Sequence, residues 1–216
     1  AATATGEKIT ATATDSAGNT SEFSPDPTRL LTVTNTNDSG VGSLRAAIVA
    51  ANSFPGAMIR FNIPTTDLNF VDVDAALPGG DPDRDAFVIK PRSALPPLAG
   101  GAITVDGRTQ AGFTGDTNLF GPEIVLNGSL AGAGTDGLQI RSNANQVYGL
   151  NIQQFAGDGL DIGAASDNVV AGNYIGTDAT GSAALGNTGS GVAIQSPATS
   201  LESGGQVVVE AEDFSA

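Results

Sequence analysis

Carboxylate side chains at repeated positions are the residues of this chain best suited to chemistry. Asp136 and Asp158 each precede a Gly-Leu pair 22 residues apart, and Asp161 follows Asp158 on the same predicted strand. If equivalent residues stack ~4.8 Å apart, as neighbouring strands do, we expect the two carboxyls to lie one above the other. Paired carboxyls hydrolyse glycosidic bonds, so these residues are candidate catalytic groups. Asp before Gly is also typical of a turn, which is the competing interpretation.

Arg141 is the last basic residue of the chain and follows the first of these repeats. In a polysaccharide lyase a basic side chain removes a proton beside carboxylate-bound calcium, so Arg141 is the candidate for that role. The chain has no His and no Cys. Their absence excludes a Ser-His-Asp triad, a Cys nucleophile, a disulfide framework and His- or Cys-ligated zinc.

Calcium is the one cofactor that the sequence offers ligands for, and none is required. Asp81, Asp83 and Asp85 have the alternating spacing of a calcium loop. An EF-hand needs Gly at the sixth position and Glu at the twelfth, where this chain has Ala86 and Arg92. A looser calcium site remains one interpretation of the segment, and a solvated acidic loop is the other.

Basic and aromatic side chains suggest a weaker second set of candidates. Lys90, Arg92 and Arg108 form a modest basic cluster that we expect to balance the acidic loop rather than bind an anion. Tyr148 and Tyr174 are suited to stacking on sugar rings, although the chain has no Trp.

Composition restricts the class of partner. The 216 residues carry 9 basic and 23 acidic side chains, for a net charge of −14, so we expect no nucleic-acid partner. No run of 18 apolar residues is present, so we expect no membrane insertion. The 29 glycines, with many Asn, Asp, Thr and Ser, favour short strands and tight turns. Because the chain begins at Ala1, we expect a mature form or a piece of a longer protein.

Internal repetition is the strongest indication of the fold. Asp136–Ile140 recurs at Asp158–Ile162 and again, 32 residues later, at Ser190–Ile194. Asn145 is similarly echoed by Asn168. A unit of ~22 residues with short strands and Gly or Asn corners predicts an all-β parallel β-helix, a solenoid whose inward Leu, Ile and Val stack. A β-sandwich with regularly spaced strands is the alternative.

One amphipathic helix is predicted at residues 43–52. Apolar residues recur at helical spacing from Leu44 to Ala51, with Ser43 as N-cap. Short strands are predicted at 59–63, 87–89, 103–105 and 123–126, and residues 65–85 are predicted to form an acidic loop.

Several phrases resemble a known family. The segment GSLRAAIVAAN at 42–52, the ITVDGRTQ of 103–110 and the GNYIGTDATG of 172–181 are similar to secreted bacterial right-handed parallel β-helix proteins. The resemblance covers residues 30–194. It implies a right-handed solenoid whose N-terminal end is capped by the helix at 43–52.

The two ends of the chain resemble other modules. Residues 1–24 are similar to the last strands of bacterial immunoglobulin-like domains, a short β-sandwich remnant, and residues 25–29 and 195–206 are predicted linkers. Residues 207–216 resemble the start of a family 6 or 35 carbohydrate-binding module. In those modules the carboxylates matched by Glu210 and Glu212 help hold calcium.

Function is expected to be extracellular or at the cell surface. The preferred interpretation is a non-catalytic structural or adhesin-like segment that binds polysaccharide or a cell-surface glycan through the solenoid face. The alternatives are part of a polysaccharide lyase or glycoside hydrolase of the β-helix class, using Asp136, Asp158, Asp161 and Arg141, or a passive spacer. The sequence leaves the oligomeric state open.

Overall fold

A computed structural model describes residues 16–17, 29–72, 85–195 and 208–209. Short strands dominate it. The strands are β1 (Leu30–Val33), β2 (Met58–Phe61), β3 (Phe70–Asp72), β4 (Asp85–Ile89), β5 (Thr104–Asp106), β6 (Ile124–Asn127), β7 (Leu138–Ile140), β8 (Gln146–Tyr148), β9 (Leu150–Gln153), β10 (Leu160–Ile162), β11 (Val169–Ala171), β12 (Tyr174–Ile175), β13 (Val192–Ile194) and β14 (Val208–Val209). The α-helices are α1 (Leu44–Ala51) and α2 (Ala111–Thr114), and two 3-10 turns span Gly107–Thr109 and Gly128–Leu130.

Within the described residues, the strands form three separate sheets. The first sheet has the order β1-β2-β5-β8-β11-β14, the second β12-β9-β6-β4-β3 and the third β13-β10-β7. All pairs are parallel except β3 with β4, which is antiparallel. From β5 onward, consecutive strands belong to the first, second and third sheet in turn.

The predicted single right-handed parallel β-helix is therefore wrong. The sheets are separate and unequal, with six, five and three strands, and the second sheet contains the antiparallel pair β3–β4. The structure also contains a second helix, α2, which was not predicted. The repeat that suggested a single solenoid begins only at Asp136, so it carried no information about the strands and connections before β7. The β-sandwich remnant predicted for residues 1–24 lies outside the described residues, apart from the turn at 16–17.

The repeated segments nevertheless pair in register in the third sheet. Leu160 of β10 lies opposite Leu138 of β7 on one side and Val192 of β13 on the other. The side chains of Leu138 and Leu160 are buried, so the repeat contributes stacked apolar groups to the core.

Helix α1 begins where Ser43 caps it, because the Ser43 hydroxyl accepts a hydrogen bond from the Ala46 N–H at 3.2 Å. Its apolar stripe packs into the same core as the first sheet; the buried helix residues are Leu44, Ala47, Ile48 and Ala51. Of the two α-helices in the described part of the chain, neither is long and apolar enough to cross a membrane.

Candidate functional site

The repeated carboxylates bind backbone rather than each other. One carboxylate oxygen of Asp136 accepts from the N–H of Asp158 at 2.8 Å, and the other accepts from the Gln139 side chain at 2.9 Å. Asp158 in turn accepts from the N–H of Ser190 at 2.6 Å. The structure thus stacks the predicted pair, and each carboxylate secures the turn of the next repeat. This bonding favours the turn interpretation over catalysis.

Asp161 of β10 and Arg141, which follows β7, form an ion pair at the third sheet; the Asp161 side chain is buried and that of Arg141 is one third exposed. The Arg141 guanidinium contacts the Asp161 carboxylate and also donates to the Asp161 carbonyl at 2.9 Å. The side chain of Gln195 donates to the other carboxylate oxygen of Asp161 at 3.1 Å. The guanidinium is thus engaged by the carboxylate and the carbonyl of Asp161, and the arrangement links β7 to β10.

Most of the predicted calcium ligands fall outside the described residues; these are Asp81, Asp83, Glu210 and Glu212. Asp85 lies in β4, where its N–H donates to the Thr117 carbonyl at 2.7 Å. Among the described residues no group of three or more acidic side chains is placed to hold a metal ion. Calcium binding therefore stays a prediction.

A cleft of about 300 Å³ lies where the excursion of residues 107–123 meets the turns at Gly149 and Gly172. We call it the Arg108 cleft; it is lined by Arg108, Ala111, Asp116, Asn118, Leu119, Gly121, Pro122, Glu123, Gly149, Gly172 and Tyr174. Its volume is at the lower end of the range of about 300–1,000 Å³ for small-molecule sites.

Thr109 and Gln110, which follow β5, hold the start of the loop at residues 107–123 against the first sheet. The buried Gln110 side chain accepts from the N–H of Ile63 at 2.9 Å and donates to its carbonyl at 2.8 Å. The Thr109 hydroxyl accepts from the Phe61 N–H at 2.8 Å. These contacts satisfy backbone groups where the parallel ladder ends, and they fix the start of the cleft wall.

Arg108 is held in place before any ligand arrives. Its guanidinium donates two hydrogen bonds to the Asp106 carboxylate, at 2.8 and 2.9 Å, and lies over the Tyr148 ring at 4.1 Å from the centroid. Bidentate pairing and ring stacking restrict the rotamers of a side chain that is otherwise flexible. The remaining guanidinium N–H groups stay available, because the Arg108 side chain is 60% exposed.

Glu123 anchors the far side of the excursion. It is 4% exposed, and its carboxyl accepts from the Thr117 N–H at 2.7 Å, from the Asn118 N–H and from the Thr117 hydroxyl. Burial raises the pKa of Glu123, and so does a hydrogen bond with Asp116. The hydrogen bonds from Thr117 and Asn118 lower it by less, so the pKa of Glu123 lies above its ordinary value. Glu123 therefore holds the loop, while the exposed Asp116 carboxyl faces solvent at the cleft.

Tyr174 closes the remaining wall. Its hydroxyl donates to the Phe120 carbonyl at 2.6 Å, and the side chain of Asn118 donates to the Ala179 carbonyl at 2.8 Å. Next to this wall, Leu119 and Phe120 leave large apolar surfaces exposed. The cleft thus combines an aromatic ring, apolar surface, a cation and carboxyl groups.

The sequence indicated Arg108, Tyr148 and Tyr174 as candidates, but not Asp106, Asp116 or Glu123. One local indication of the Asp106–Arg108 pair is present in the sequence: Asp106 lies two residues before Arg108 and begins a turn. Lys90 and Arg92 line a different groove, so the predicted basic cluster is divided. Comparisons of the chain with known protein families, with curated proteins and with solved structures found no match.

Proposed function

We propose that this chain is an extracellular structural segment that binds a neutral polysaccharide in the Arg108 cleft. The observation that carries the proposal is the preset Arg108 guanidinium, fixed by Asp106 and Tyr148 beside a concave surface. Fixed polar groups in a concave site give orientation and specificity to a bound molecule at a small entropic cost.

The charge of the cleft favours neutral, hydroxyl-rich ligands. The carboxylate of Asp106 balances the positive charge of Arg108, and Asp116 and Glu123 add carboxyl groups to the same cleft. An anionic group would meet these carboxyls and a chain of net charge −14. Sugar hydroxyls instead accept from the guanidinium and donate to Asp116.

The apolar and aromatic surfaces fit the remaining face of a sugar ring. Tyr174 lines the cleft, and the exposed Leu119 adjoins it. Aromatic side chains pack well against flat, weakly polar C–H faces while their hydroxyls stay hydrogen-bonded. The bonding of Asp136, Asp158 and Asp161 supports this binding role over the enzymatic alternative.

A panel experiment tests the proposal. The purified chain is incubated with neutral and acidic polysaccharides, with and without calcium, and co-sedimentation, new reducing ends and unsaturated products are followed together. Co-sedimentation with a neutral polysaccharide and no product is the expected result. Product formation would replace the proposal by the lyase or hydrolase alternative, and neither binding nor product would support a passive spacer.

A further inference from the structure

A second groove contains the other two residues of the predicted basic cluster, Lys90 and Arg92. It has a volume of about 320 Å³ and lies between the loop after β1, the residues that follow β4 and the 3-10 turn at Gly128–Leu130. Lys90, Arg92, Asn37, Asn69 and Leu130 are among the side chains that line it, and we call it the Lys90 groove.

Asp38, the one carboxylate among the described residues that line the groove, is already engaged. Asp38 accepts from the Arg45 guanidinium at 2.8 Å and from the Arg92 N–H at 3.0 Å. Burial tends to raise the pKa of Asp38, but the hydrogen bonds and positive charges of Arg45 and Arg92 lower it more. Asp38 is therefore ionised at neutral pH, and its single negative charge faces the positive charges of both Arg45 and Arg92.

Arg45 itself is fixed and does not compete for a ligand. Its guanidinium also donates to the carbonyls of Ala94 at 2.6 Å and Ser93 at 2.9 Å. Within the described part of the chain, the Lys90 ammonium and the Arg92 guanidinium make no hydrogen bond or ion pair. Among the described residues at the groove, the three cations Arg45, Lys90 and Arg92 thus stand against the single carboxylate of Asp38.

We propose that the Lys90 groove binds an oxyanion substituent, a sulfate ester or a carboxylate, carried on a polysaccharide. Lys90 and Arg92 supply the positive charge, and the Asn37 side-chain amide supplies a neutral donor beside them. Leu130, half exposed at the edge of the groove, offers an apolar surface for the sugar that carries the anion. This site differs from the Arg108 cleft in its residues and in the charge of its ligand.

Calorimetry on the whole chain with three probes tests the ligand class. The probes are a sulfated dextran oligosaccharide, the unsulfated dextran oligosaccharide of the same length and inorganic sulfate. We expect the sulfated oligosaccharide to bind more tightly than either of the others, and more weakly as NaCl is raised from low to high concentration. Equal binding of the two oligosaccharides contradicts an oxyanion site, and binding of inorganic sulfate alone contradicts a polysaccharide ligand.

Variants locate the site. Lys90→Gln and Arg92→Gln each remove one charge-assisted contact, and we expect about threefold to tenfold weaker binding of the sulfated oligosaccharide. Arg60→Gln is the matched control, because Arg60 is an exposed cation on β2 that bonds to Thr32. Equal weakening by Arg60→Gln would reduce the effect to net charge and overturn the site. The same comparison is repeated in the Arg108→Gln background, where any binding of the dextran chain by the Arg108 cleft is weakened. We expect the preference for the sulfated oligosaccharide to remain there, so failure of the Lys90 groove is distinguishable from failure of the Arg108 cleft.

Discussion

The carboxylate of Asp136 accepts a hydrogen bond from the backbone N–H of Asp158, the equivalent residue of the next repeat, at 2.8 Å. Asp158 makes the same contact to Ser190, one repeat further along the chain. The Asp that begins each of the first two repeats in the sequence therefore also connects that repeat to the next one in the structure. A carboxylate used this way replaces the ladder bonds that end where the strands end.

Removal of the Asp136 carboxylate tests this connecting role. Asp136→Ala leaves the Asp158 N–H without its partner, and we expect the free energy of unfolding to fall by about 1–2 kcal/mol. Asp136→Asn retains an acceptor oxygen and is expected to cost less than half as much. Urea unfolding followed by far-UV circular dichroism measures both. Equal losses in the two variants would show that charge, rather than the hydrogen bond, is what matters at this position.

The close approach at Gly107 is a second test. A Cβ atom at Gly107 would overlap the carbonyl group of Gly149, which lines the Arg108 cleft. Gly107→Ala forces two backbone segments apart, with an expected loss of about 1–3 kcal/mol in the free energy of unfolding. The control is Gly112→Ala, where a Cβ meets nothing within 4 Å. Thermal unfolding compares them, and an unchanged melting temperature for Gly107→Ala contradicts the close approach.

Glu123 gives a pH dependence whose sign follows from its environment. Because its pKa in the folded protein is raised from the ordinary 4.5, the folded state keeps the proton where the unfolded chain has lost it. The contribution of Glu123 to the free energy of unfolding is therefore full below pH 4.5 and declines as pH rises through the raised pKa. Glu123→Gln, which cannot ionise, removes this decline.

The measurement is urea unfolding at a series of pH values that begins below pH 4.5 and extends above the raised pKa of Glu123. Asp167→Asn is the matched control, because Asp167 is an exposed carboxylate on a residue with φ of 59°, a backbone conformation that Asn tolerates. We expect the control to keep the slope of the parent chain and Glu123→Gln to flatten it. The same slope in Glu123→Gln and in the parent chain is the opposing result.

Asn145 joins two repeats inside the core. It is fully buried, accepts from the Ile103 N–H at 3.0 Å and donates to the Asn168 side chain at 3.0 Å. Asn145→Ala leaves buried groups unpaired on both sides, with an expected cost of about 2–4 kcal/mol. Asn143→Ala removes an exposed amide that accepts from the Ser166 N–H and is expected to cost about 1 kcal/mol. Chemical unfolding of the two variants tests the difference, and similar costs would contradict it.

The sequence predicted local pairing better than global arrangement. The recurrence of Leu138 as Leu160 anticipated parallel pairing in register, because identical apolar spacing stacks only one way. It did not reveal that the strands form three separate sheets. Several turns between these strands use a positive φ at residues other than glycine, including Ala144 and Gln154. Nothing in the identity of Ala144 or Gln154 announces that conformation.

The site was predictable in its side chains but not in its assembly. Arg108 and the two tyrosines were visible as chemical types, whereas the role of Asp106 depends on a turn that brings it back onto Arg108. Glu123 resembled an ordinary strand residue, because its burial comes from a loop folded over it. Long-range contacts such as that between Tyr174 and Phe120, 54 residues apart, have no local signature.

Affinity gel electrophoresis in neutral polysaccharides tests the Arg108 cleft most directly. Neutral polymers do not alter the migration of a protein by charge, so retardation reports binding alone. The parent chain is compared with Arg108→Gln, and with Arg29→Gln as the control, since Arg29 also lies over an aromatic ring, that of Phe54. We predict retardation of the parent chain and of Arg29→Gln in at least one gel, and at least tenfold weaker binding by Arg108→Gln. Equal retardation of Arg108→Gln, or no retardation of the parent chain in any gel, would contradict the account.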